Sequence, residues 1–430
     1  MTVPDPDASP LGSVPRVASA SPTPVADDLA SVIDATTPAA LRARGSLKWT
    51  VPPAGHIGAF VAEMDFGAAP AVAEALRRAV DDAAFGYLPP WLEADYAQAC
   101  VDWQLARHGW RVDPANVHAV GDVLKVLQIA IDHFTRPGSP VILPTPAYTP
   151  FFAMPLACGR EIIEVPCLVE NGYYRLDLDG IAAAFRAGGQ LLVLCNPHNP
   201  VGRMLDREEL LAVSQVVHEH GGRVFADEIH APLSYPDSAP HVPYASLSEV
   251  TAGHTITGTS ASKAFNLPGL KCAAAIVSNE RDAATWAGLH MVVTHGAATI
   301  GAVANIAAYT AGGPWLAQVL DYLAGNRALL ADLVAERLPG VRFRPPEGTY
   351  LAWLDFRDLA LPTSPGEFLS GHAGVMVNDG LRFGAPGAGF ARLNMATPRP
   401  ILEQIVDRIA GAVSDVGARS DQRGTVGGSG

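Results

Sequence analysis

The chain has 430 residues, of which 49% are hydrophobic and 17% charged, and its net charge at pH 7 is −13. That length and apolar content predict two or three structural units around a large core, and the negative charge argues against nucleic acid or an anionic membrane as the main partner. The five cysteines lack C-x-x-C spacing, residues 1–30 lack an export signal, and the longest apolar stretch, near 297–310, is too short to span a bilayer, so we expect a cytoplasmic protein.

The two ends of the chain differ from its middle. Residues 1–36 are rich in Pro, Ala and Ser without periodicity, which predicts a disordered segment. Residues 419–430 end in Gly-Gly-Ser-Gly and are expected to form a flexible tail. Between the ends, the first strong signals are apolar residues at helical spacing, which predict helices over residues 70–82 and 92–108.

The middle of the chain then alternates between apolar strands and helices. Strands are predicted, in chain order, at residues 117–120, 141–143, 191–194, 223–226, 254–257 and 273–277. Helices are predicted at 121–134 and at 206–220, where Asp206 and Glu209 match a capping box. Because apolar strands that alternate with helices are typical of a mostly parallel sheet covered on both faces, residues 81–314 are predicted to form a large α/β domain.

After residue 314 the pattern changes to long helices and isolated strands. The predicted elements are a helix at 315–338, a strand at 349–355, a helical fragment at 367–372, a strand at 390–395 and a last helix at 400–413. This mixture indicates a smaller α+β domain. We expect it to consist of residues 37–80 and 315–418, beside the large domain with its mixed, mostly parallel sheet.

Three polar residues follow successive predicted strands. Asn199 lies in the loop Asn-Pro-His-Asn-Pro-Val-Gly, Asp227 precedes Glu-Ile-His, and Lys263 lies in Ser-Ala-Ser-Lys after the next strand. Each separation corresponds to about one crossover between strands, and ligands of such sheets bind at the carboxyl ends of the strands. We therefore expect the amide, the acid and the amine in one crevice.

This combination suits a phosphorylated pyridine aldehyde. Lys263 would hold the aldehyde as an imine, Asp227 would keep the ring nitrogen protonated, and Asn199 would hydrogen-bond the ring hydroxyl. An ordinary lysine, with a pKa of about 10.4, is a poor base at neutral pH; imine formation and cationic surroundings would allow Lys263 to carry a substrate proton. The phosphate cradle is predicted from a helix N-terminus and nearby hydroxyl and basic groups: Gly121, Asp122, Val123, Ser260, Ser262 and Lys271.

A wider set of motifs resembles a known family. The matching stretches are residues 60–66, 85–87, 144–148, 195–202, 227–230, 260–270 and 392–399. Over about residues 44–418 the chain resembles fold-type-I pyridoxal-phosphate (PLP) enzymes, and among them the MalY/PatB-type cystathionine β-lyases. Asn-Pro-x-Asn-Pro-x-Gly with the spaced Asp and Lys is typical of the superfamily, whereas Ala-Glu-Met-Asp-Phe and Asp-Glu-Ile-His favour the lyase branch.

The resemblance implies roles for further residues at the cofactor. Tyr148 would stack on the cofactor ring and join Lys263 and Asp227 as a catalytic residue, and His230 would lie on the hydroxyl side of the ring. Arg392 would bind the substrate carboxylate through both guanidinium nitrogens, helped by Asn199.

The resemblance also implies a shared site. Glu63 would contribute to substrate binding, and Lys271 stands where many aminotransferases have arginine. Tyr87 would reach the phosphate of the neighbouring subunit's cofactor. The expected assembly is therefore a homodimer whose active sites use both subunits, acting on a small amino-acid substrate.

Two reactions use these residues equally well. After the α-proton is removed, a transaminase reprotonates the carbanion at the cofactor, whereas a β-lyase expels a group from the β-carbon. A thiolate, whose conjugate thiol has a pKa of about 8.5, leaves readily. The leading hypothesis is a PLP-dependent carbon–sulfur lyase that converts cystathionine or another S-substituted L-cysteine to thiol, pyruvate and ammonia; the alternative is an aminotransferase.

Three other interpretations have less support. This fold can serve a regulatory role, but a DNA-binding version needs a winged-helix domain for which residues 1–36 are too few and too rich in proline. Ser260-x-x-Lys263 matches a serine-acylating motif whose Lys-Thr-Gly and Ser-Asp-Asn partners are absent. No metal site is predicted, since the candidate histidines show no ligand spacing: His218, His220 and His230.

Overall fold

The computed structural model describes the backbone of residues 28–424 and the side chains of residues 28–415. Of the segment 1–36, which is predicted to be disordered, residues 1–27 lie outside the described range. For residues 29–34 the prediction of disorder is wrong. Leu29–Asp34 form a helix in which Leu29 and Ile33 are buried, and Asp28 accepts a capping hydrogen bond from the Ser31 N–H. The predicted tail 419–430 overlaps the last helix, Arg399–Gly424, and its residues 425–430 lie outside the described range.

Helices and strands alternate through most of the chain. The helices are α1 (Leu29–Asp34), α2 (Pro38–Arg44), α3 (Leu47–Thr50), α4 (Pro70–Asp81), α5 (Pro90–His108), α6 (Val123–His133), α7 (Pro150–Ala157), α8 (Leu178–Arg186), α9 (Arg207–Glu219), α10 (Glu249–His254), α11 (Glu280–Ala287), α12 (Met291–Thr294), α13 (Thr299–Ala311), α14 (Gly313–Arg337), α15 (Pro365–Phe368) and α16 (Arg399–Gly424). The strands are β1 (Ile57–Gly58), β2 (Val117–Val120), β3 (Val141–Thr145), β4 (Ile162–Pro166), β5 (Leu168–Glu170), β6 (Tyr173–Arg175), β7 (Leu191–Cys195), β8 (Arg223–Asp227), β9 (Thr255–Thr259), β10 (Ala273–Val277), β11 (Arg342–Phe343), β12 (Leu351–Asp355), β13 (Val375–Met376), β14 (Asn378–Asp379) and β15 (Phe390–Asn394).

The large sheet has seven strands in the order β2-β10-β9-β8-β7-β3-β4. Strand β10 runs antiparallel to both of its neighbours, whereas the pairings from β9 to β4 are parallel. Each predicted strand of residues 117–277 belongs to this sheet. The prediction of a mixed, mostly parallel sheet is confirmed.

Consecutive strand residues are buried on opposite faces of this sheet. Ile142, Leu192 and Val224 pack with α8 and α9 on one face, whereas their neighbours Leu143 and Phe225 pack with α6 on the other. Both faces are therefore removed from water, which explains why the strand sequences are continuously apolar rather than alternating. The same arrangement leaves the carboxyl ends of the strands as the open edge for polar residues.

A smaller antiparallel sheet has the order β11-β12-β15-β14. In its register Arg392 of β15 lies opposite both Trp353 of β12 and Asn378 of β14. The two-residue strand β1 pairs with β13, so the chain before α4 is joined to the C-terminal part. This pairing brings residues 57–66 close to the small sheet, although more than 300 residues separate the paired strands along the chain.

Several elements are not evident from sequence pattern. Strand β4 lies at the sheet edge and is only partly buried, so it lacks the apolar run of the central strands. The apolar stretch near 297–310 forms α13, which packs against α4 and α5. Among the described helices, none combines the length and apolar character that crossing a bilayer requires.

Candidate active site

Most of the predicted site residues line one cavity of about 210 Å³ at the carboxyl ends of β7, β8 and β9. The residues that form its walls are Ala62, Asp122, Val123, Leu124, Tyr148, Cys195, Asn199, Asp227, Ile229, His230, Ser262, Lys263, Pro268 and Lys271. The structure thus brings Asn199, Asp227 and Lys263 together, as their order along the strands predicts.

Asp227 ends β8 with its carboxylate buried and 5% of the residue exposed. Its Oδ1 accepts a hydrogen bond of 3.1 Å from the Ile229 N–H. No lysine, arginine or histidine of the described residues lies within salt-bridge distance of the Asp227 carboxylate. Burial raises the pKa of Asp227 to about 7, although the hydrogen bond from Ile229 and the charge of Lys263 act to lower it. A protonated pyridine nitrogen would supply the missing partner, so the acid fits the implied cofactor.

Lys263 lies in the turn after β9, with its Nζ donating to the Ala62 carbonyl at 3.1 Å. Burial and the charge of Arg392 lower the pKa of Lys263 to about 8, against the opposing effects of Glu63 and Asp227. About one tenth of the amine is therefore unprotonated at pH 7, far more than for an ordinary lysine. Both imine formation with an aldehyde and proton transfer require that form.

Arg392 is 4% exposed and lies in the centre of β15. Its Nη1 donates to Asn199 Oδ1 at 2.9 Å, and its Nη2 donates to Phe60 O and Asn378 Oδ1, both at 2.8 Å. The guanidinium has no carboxylate within salt-bridge distance in the described chain, and Nε has no hydrogen-bond partner there. A buried cation without a counter-charge is suited to an anionic ligand such as an amino-acid carboxylate.

Two ring-bearing residues complete the cavity wall. Tyr148 packs edge-on against Phe151 with ring centroids 5.4 Å apart, and burial raises the pKa of its hydroxyl. His230 is buried beside Tyr350, and burial with the charges of Lys263 and Arg392 lowers its pKa to about 3. The His230 Nδ1 is buried without a hydrogen-bond partner among residues 28–415, so a neutral imidazole has an unused polar atom at the cavity.

Several residues of the predicted phosphate cradle line the cavity. Asp122 caps α6 by accepting from the Lys125 N–H, and its other oxygen lies 3.2 Å from Lys271 Nζ in an exposed pair. Ser262 and Lys271 line the cavity. Such an exposed pair contributes little stability, so Lys271 is free to turn towards a phosphate.

Gly121 and Ser260 lie close in the chain to the lining residues Asp122 and Ser262. Neither belongs to the cavity wall. Gly121 closely approaches the Gly296 backbone, where an added Cβ would lie 3.1 Å from the Gly296 oxygen. Ser260 is 1% exposed, and its hydroxyl donates to the Cys272 carbonyl and accepts from the Ser262 N–H. Ser260 therefore orients the turn that carries Lys263.

The segment of residues 60–66 contributes Ala62 to the cavity wall. Glu63 is half-buried, and its charge opposes the lowering of the Lys263 pKa by burial. Ala62 O accepts from the Tyr350 hydroxyl at 2.9 Å as well as from Lys263. Sequence patterns missed Tyr350 and Asn378 because each is an isolated residue on its strand or loop, without a motif.

Tyr87 is 102% exposed and does not line the cavity. It borders a separate groove of about 870 Å³ together with Phe85, Met291 and His295. Within one chain, the structure therefore does not bring Tyr87 to the predicted site.

Several known proteins are similar to this chain in sequence. A model of the family described as aminotransferase class I and II matches residues 61–409. The chain is 38% identical over 373 residues to a cystathionine beta-lyase of Corynebacterium glutamicum, covering 86% of this chain and 97% of the relative. It is 35% identical to cystathionine beta-lyase PatB of Bacillus subtilis, covering 83% and 92% of the two chains.

A solved structure supports the same grouping. Cystalysin from Treponema denticola, which contains a pyridoxal 5′-phosphate cofactor, has a TM-score of 0.82 and 30% identity, covering 89% of this chain and 98% of its own. The predicted fold class, family and cofactor are thereby confirmed. The chain belongs to the class I and II aminotransferase family and, within it, to the MalY/PatB-type carbon–sulfur β-lyases, which depend on pyridoxal 5′-phosphate.

Proposed function

We propose that this lyase cleaves the Cβ–S bond of cystathionine or another S-substituted L-cysteine and releases a thiol, pyruvate and ammonia. The observation that carries the proposal is the identity with cystathionine beta-lyases over most of both chains. Within the site, the buried and unpaired Arg392 supports an amino-acid substrate, because its charge needs a carboxylate.

Substrate orientation begins with Arg392. The guanidinium is held on three sides by Asn199, Asn378 and the Phe60 carbonyl, which fixes the direction in which its remaining donors point. A carboxylate that binds there would have its α-carbon turned towards Lys263. Glu63, which follows the lining residue Ala62, is proposed to contact the amino group or the distal part of the substrate.

The cofactor, when bound, supplies an electron sink for the pair released from the α-carbon, and Asp227 would keep its ring nitrogen protonated. Lys263 would take the α-proton on Nζ. The electron pair of the C–H bond forms the Cα–Cβ double bond, and the Cβ–S bond breaks with its pair leaving on sulfur. The thiolate takes up a proton, and the released 2-aminoacrylate tautomerises and adds one water to give pyruvate and ammonia.

The remaining residues of the cavity are proposed to hold the cofactor. Tyr148 would cover its ring, His230 would lie beside the ring hydroxyl, and the backbone amides of residues 121–123 with Ser262 and Lys271 would bind the phosphate. The five cysteines are free thiols, which supports a reducing compartment, and we propose that this compartment is the cytoplasm.

The direct test is a product assay on purified, PLP-loaded protein. Cystathionine, S-methyl-, S-ethyl- and S-phenyl-L-cysteine would be compared, with thiol, pyruvate and ammonia measured in each case. Equal amounts of the three products are expected. Amino exchange with a keto acid without pyruvate release would instead show an aminotransferase and overturn the proposal.

The pH dependence of cofactor attachment should follow Lys263. Burial lowers the pKa of this amine to about 8, and only its unprotonated form can attack the aldehyde. The rate of imine formation between PLP and the cofactor-free protein is therefore expected to rise about tenfold per pH unit below pH 7 and to level off above pH 9. Stopped-flow absorbance at a fixed PLP concentration between pH 6 and 10 would check this, and a profile that is flat or falling between pH 7 and 9 would contradict it.

We further propose a homodimer in which Tyr87 acts in the site of the partner. The support is a patch of exposed apolar side chains around the groove: Phe85 is 66%, Tyr87 102% and Met291 68% exposed. A second copy of the chain would cover these side chains. Their exposure to water in a single chain is unfavourable in free energy. Tyr87 would then contact the partner's cofactor phosphate.

Subunit complementation tests the shared site. Lys263→Ala and Tyr87→Ala homodimers are each expected to have little activity. In hybrid dimers one of the two sites contains both Lys263 and Tyr87, so refolding an equimolar mixture should restore about one quarter of wild-type activity. Sedimentation would verify the dimers. A mixture with no more activity than its separate components would rule out a shared site.

A further inference from the structure

The segment of residues 60–66 presents backbone carbonyls to both cations of the active site. It contains neither helix nor strand. The Phe60 carbonyl accepts from Arg392 Nη2 at 2.8 Å, and the Ala62 carbonyl accepts from Lys263 Nζ at 3.1 Å. The position of this backbone therefore affects both the group that would bind the carboxylate and the group that would move the proton.

A buried ion pair holds the far end of the segment. Lys48 is 0% and Asp65 5% exposed, and Lys48 Nζ lies 2.8 Å from Asp65 Oδ2. Lys48 Nζ also donates to the Ala396 carbonyl at 3.1 Å, and Trp49 Nε1 donates to Asp65 Oδ1 at 2.7 Å. These directional contacts fix the Asp65 carboxylate between α3 and the chain that follows β15.

Other hydrogen bonds restrain the middle of the segment. Asn394 Nδ2 donates to the carbonyls of Val61 and Glu63, and Asn266 Oδ1 accepts from the Met64 N–H at 2.9 Å. Because these bonds would persist without the ion pair, its loss would shift the segment rather than release it. A shift of the two carbonyls would move Arg392 and Lys263 with them.

Stability alone does not explain a charged pair at this place. Removing two charges from water costs several kcal/mol, and well-packed apolar side chains of similar volume are often equally stable. We propose that Lys48 and Asp65 are positioning residues, which set the Phe60 and Ala62 carbonyls so that Arg392 and Lys263 are correctly placed for the substrate. Neither residue lines the cavity. Only the expected effect on catalysis rests on the proposed function; the effect on the position of residues 60–66 does not.

The test separates folding from positioning by comparing single and double variants. Lys48→Met and Asp65→Leu each leave one buried charge alone, and both are expected to lower the unfolding midpoint markedly. The double variant K48M/D65L contains neither charge and should regain most of that midpoint. Its KM for S-ethylcysteine is nevertheless expected to be at least about 10-fold higher, with kcat lowered by a similar factor, because misplacement by about 1 Å can cost 100-fold.

A second measurement does not depend on the cofactor or on activity. In the cofactor-free double variant, hydrogen exchange should be faster in a peptide covering residues 57–69 and unchanged in the central strands β7 and β8. This readout distinguishes the two proposals: if no substrate releases thiol, the proposed function fails, whereas the exchange result still decides the positioning role.

The chain offers a matched control. Arg223 and Asp282 form another largely buried pair, with 2.5 Å between Nη2 and Oδ2, at the opposite end of β8 from Asp227. R223M/D282L should behave like K48M/D65L in unfolding but should keep wild-type KM and kcat. The positioning role is wrong if K48M/D65L, once its unfolding midpoint is recovered, shows wild-type KM and kcat or wild-type exchange in residues 57–69.

Discussion

Replacing Lys263 by alanine is expected to lower kcat/KM for thiol release by about 10⁴-fold or more. Lys263 is the only lysine of the described chain that lies deep in the cavity, since Lys271 is 61% exposed in its side chain. Burial lowers the pKa of Lys263 to about 8, so part of the amine is unprotonated and can act as a base. No neighbouring group in the cavity can take over this role. The measurement is steady-state pyruvate release at pH 8 with excess PLP.

A chemical experiment accompanies this variant. Borohydride reduction of the wild-type protein with PLP, followed by peptide mapping, should attach the cofactor to Lys263 alone. Lys263→Ala should give no labelled peptide, while the control Lys125→Ala should be labelled and active like the wild type, because the Lys125 ammonium donates to Gln128 on α6 and the residue does not line the cavity. Label on any other lysine would remove the basis of the proposed mechanism.

Replacing Asp227 by asparagine should change activity and stability in opposite directions. Asparagine has the same shape but cannot keep a pyridine nitrogen protonated, so kcat is expected to fall by about 10³-fold, as for other losses of a charged partner in a dry site. In the cofactor-free protein, however, the carboxylate is buried without a cation partner among the described residues. Burial raises the Asp227 pKa from 3.8 to about 7.

The sign of the stability effect follows from this shift. The folded state binds the proton more tightly than the unfolded chain, so stability falls as pH rises from about 4 to about 7 and the penalty is constant above. The full penalty amounts to ~4 kcal/mol. Cofactor-free Asp227→Asn should therefore be more stable than the wild type at pH 8, by as much as that amount, and nearly equal to it at pH 4.

Urea unfolding at the two pH values measures both stabilities. A matched control is Asp282→Asn, since Asp282 is also buried but is paired with Arg223. This variant leaves a buried arginine without its partner and should be less stable than the wild type at pH 8. If Asp227→Asn were destabilised in the same way, the acid would have a cation partner in the cofactor-free protein, and the interpretation of the site would be wrong.

Local sequence patterns predicted the large sheet and the three central site residues. Apolar runs such as Leu191–Cys195 form strands wherever both faces are covered, and the crossover rule then orders Asn199, Asp227 and Lys263 along one edge. The capping box at Asp206 was equally readable, and the structure shows both of its hydrogen bonds. Each of these features is predicted from residues that are close together in the sequence.

Other features depend on residues that are distant in the chain. A hydroxyl such as that of Ser260 has several possible partners, and only the packing of β9 against β10 determines that it bonds the Cys272 carbonyl. Lysine is usually a surface residue, yet Lys48 is completely buried and contacts Asp65 and Ala396. A single side chain without periodicity contains no signal for such partners.

The sequence by itself therefore determined the central strands of the large sheet, the polar residues at their carboxyl ends and the chemistry of the amine, the acid and the amide, because these follow from short-range hydrophobic and capping patterns. Only the tertiary structure decided which carbonyls meet Arg392 and Lys263, which hydroxyl turns away from the cavity and which ion pair is buried. Those outcomes depend on long-range packing, where the desolvation of each polar group selects its partner after the chain has closed around it.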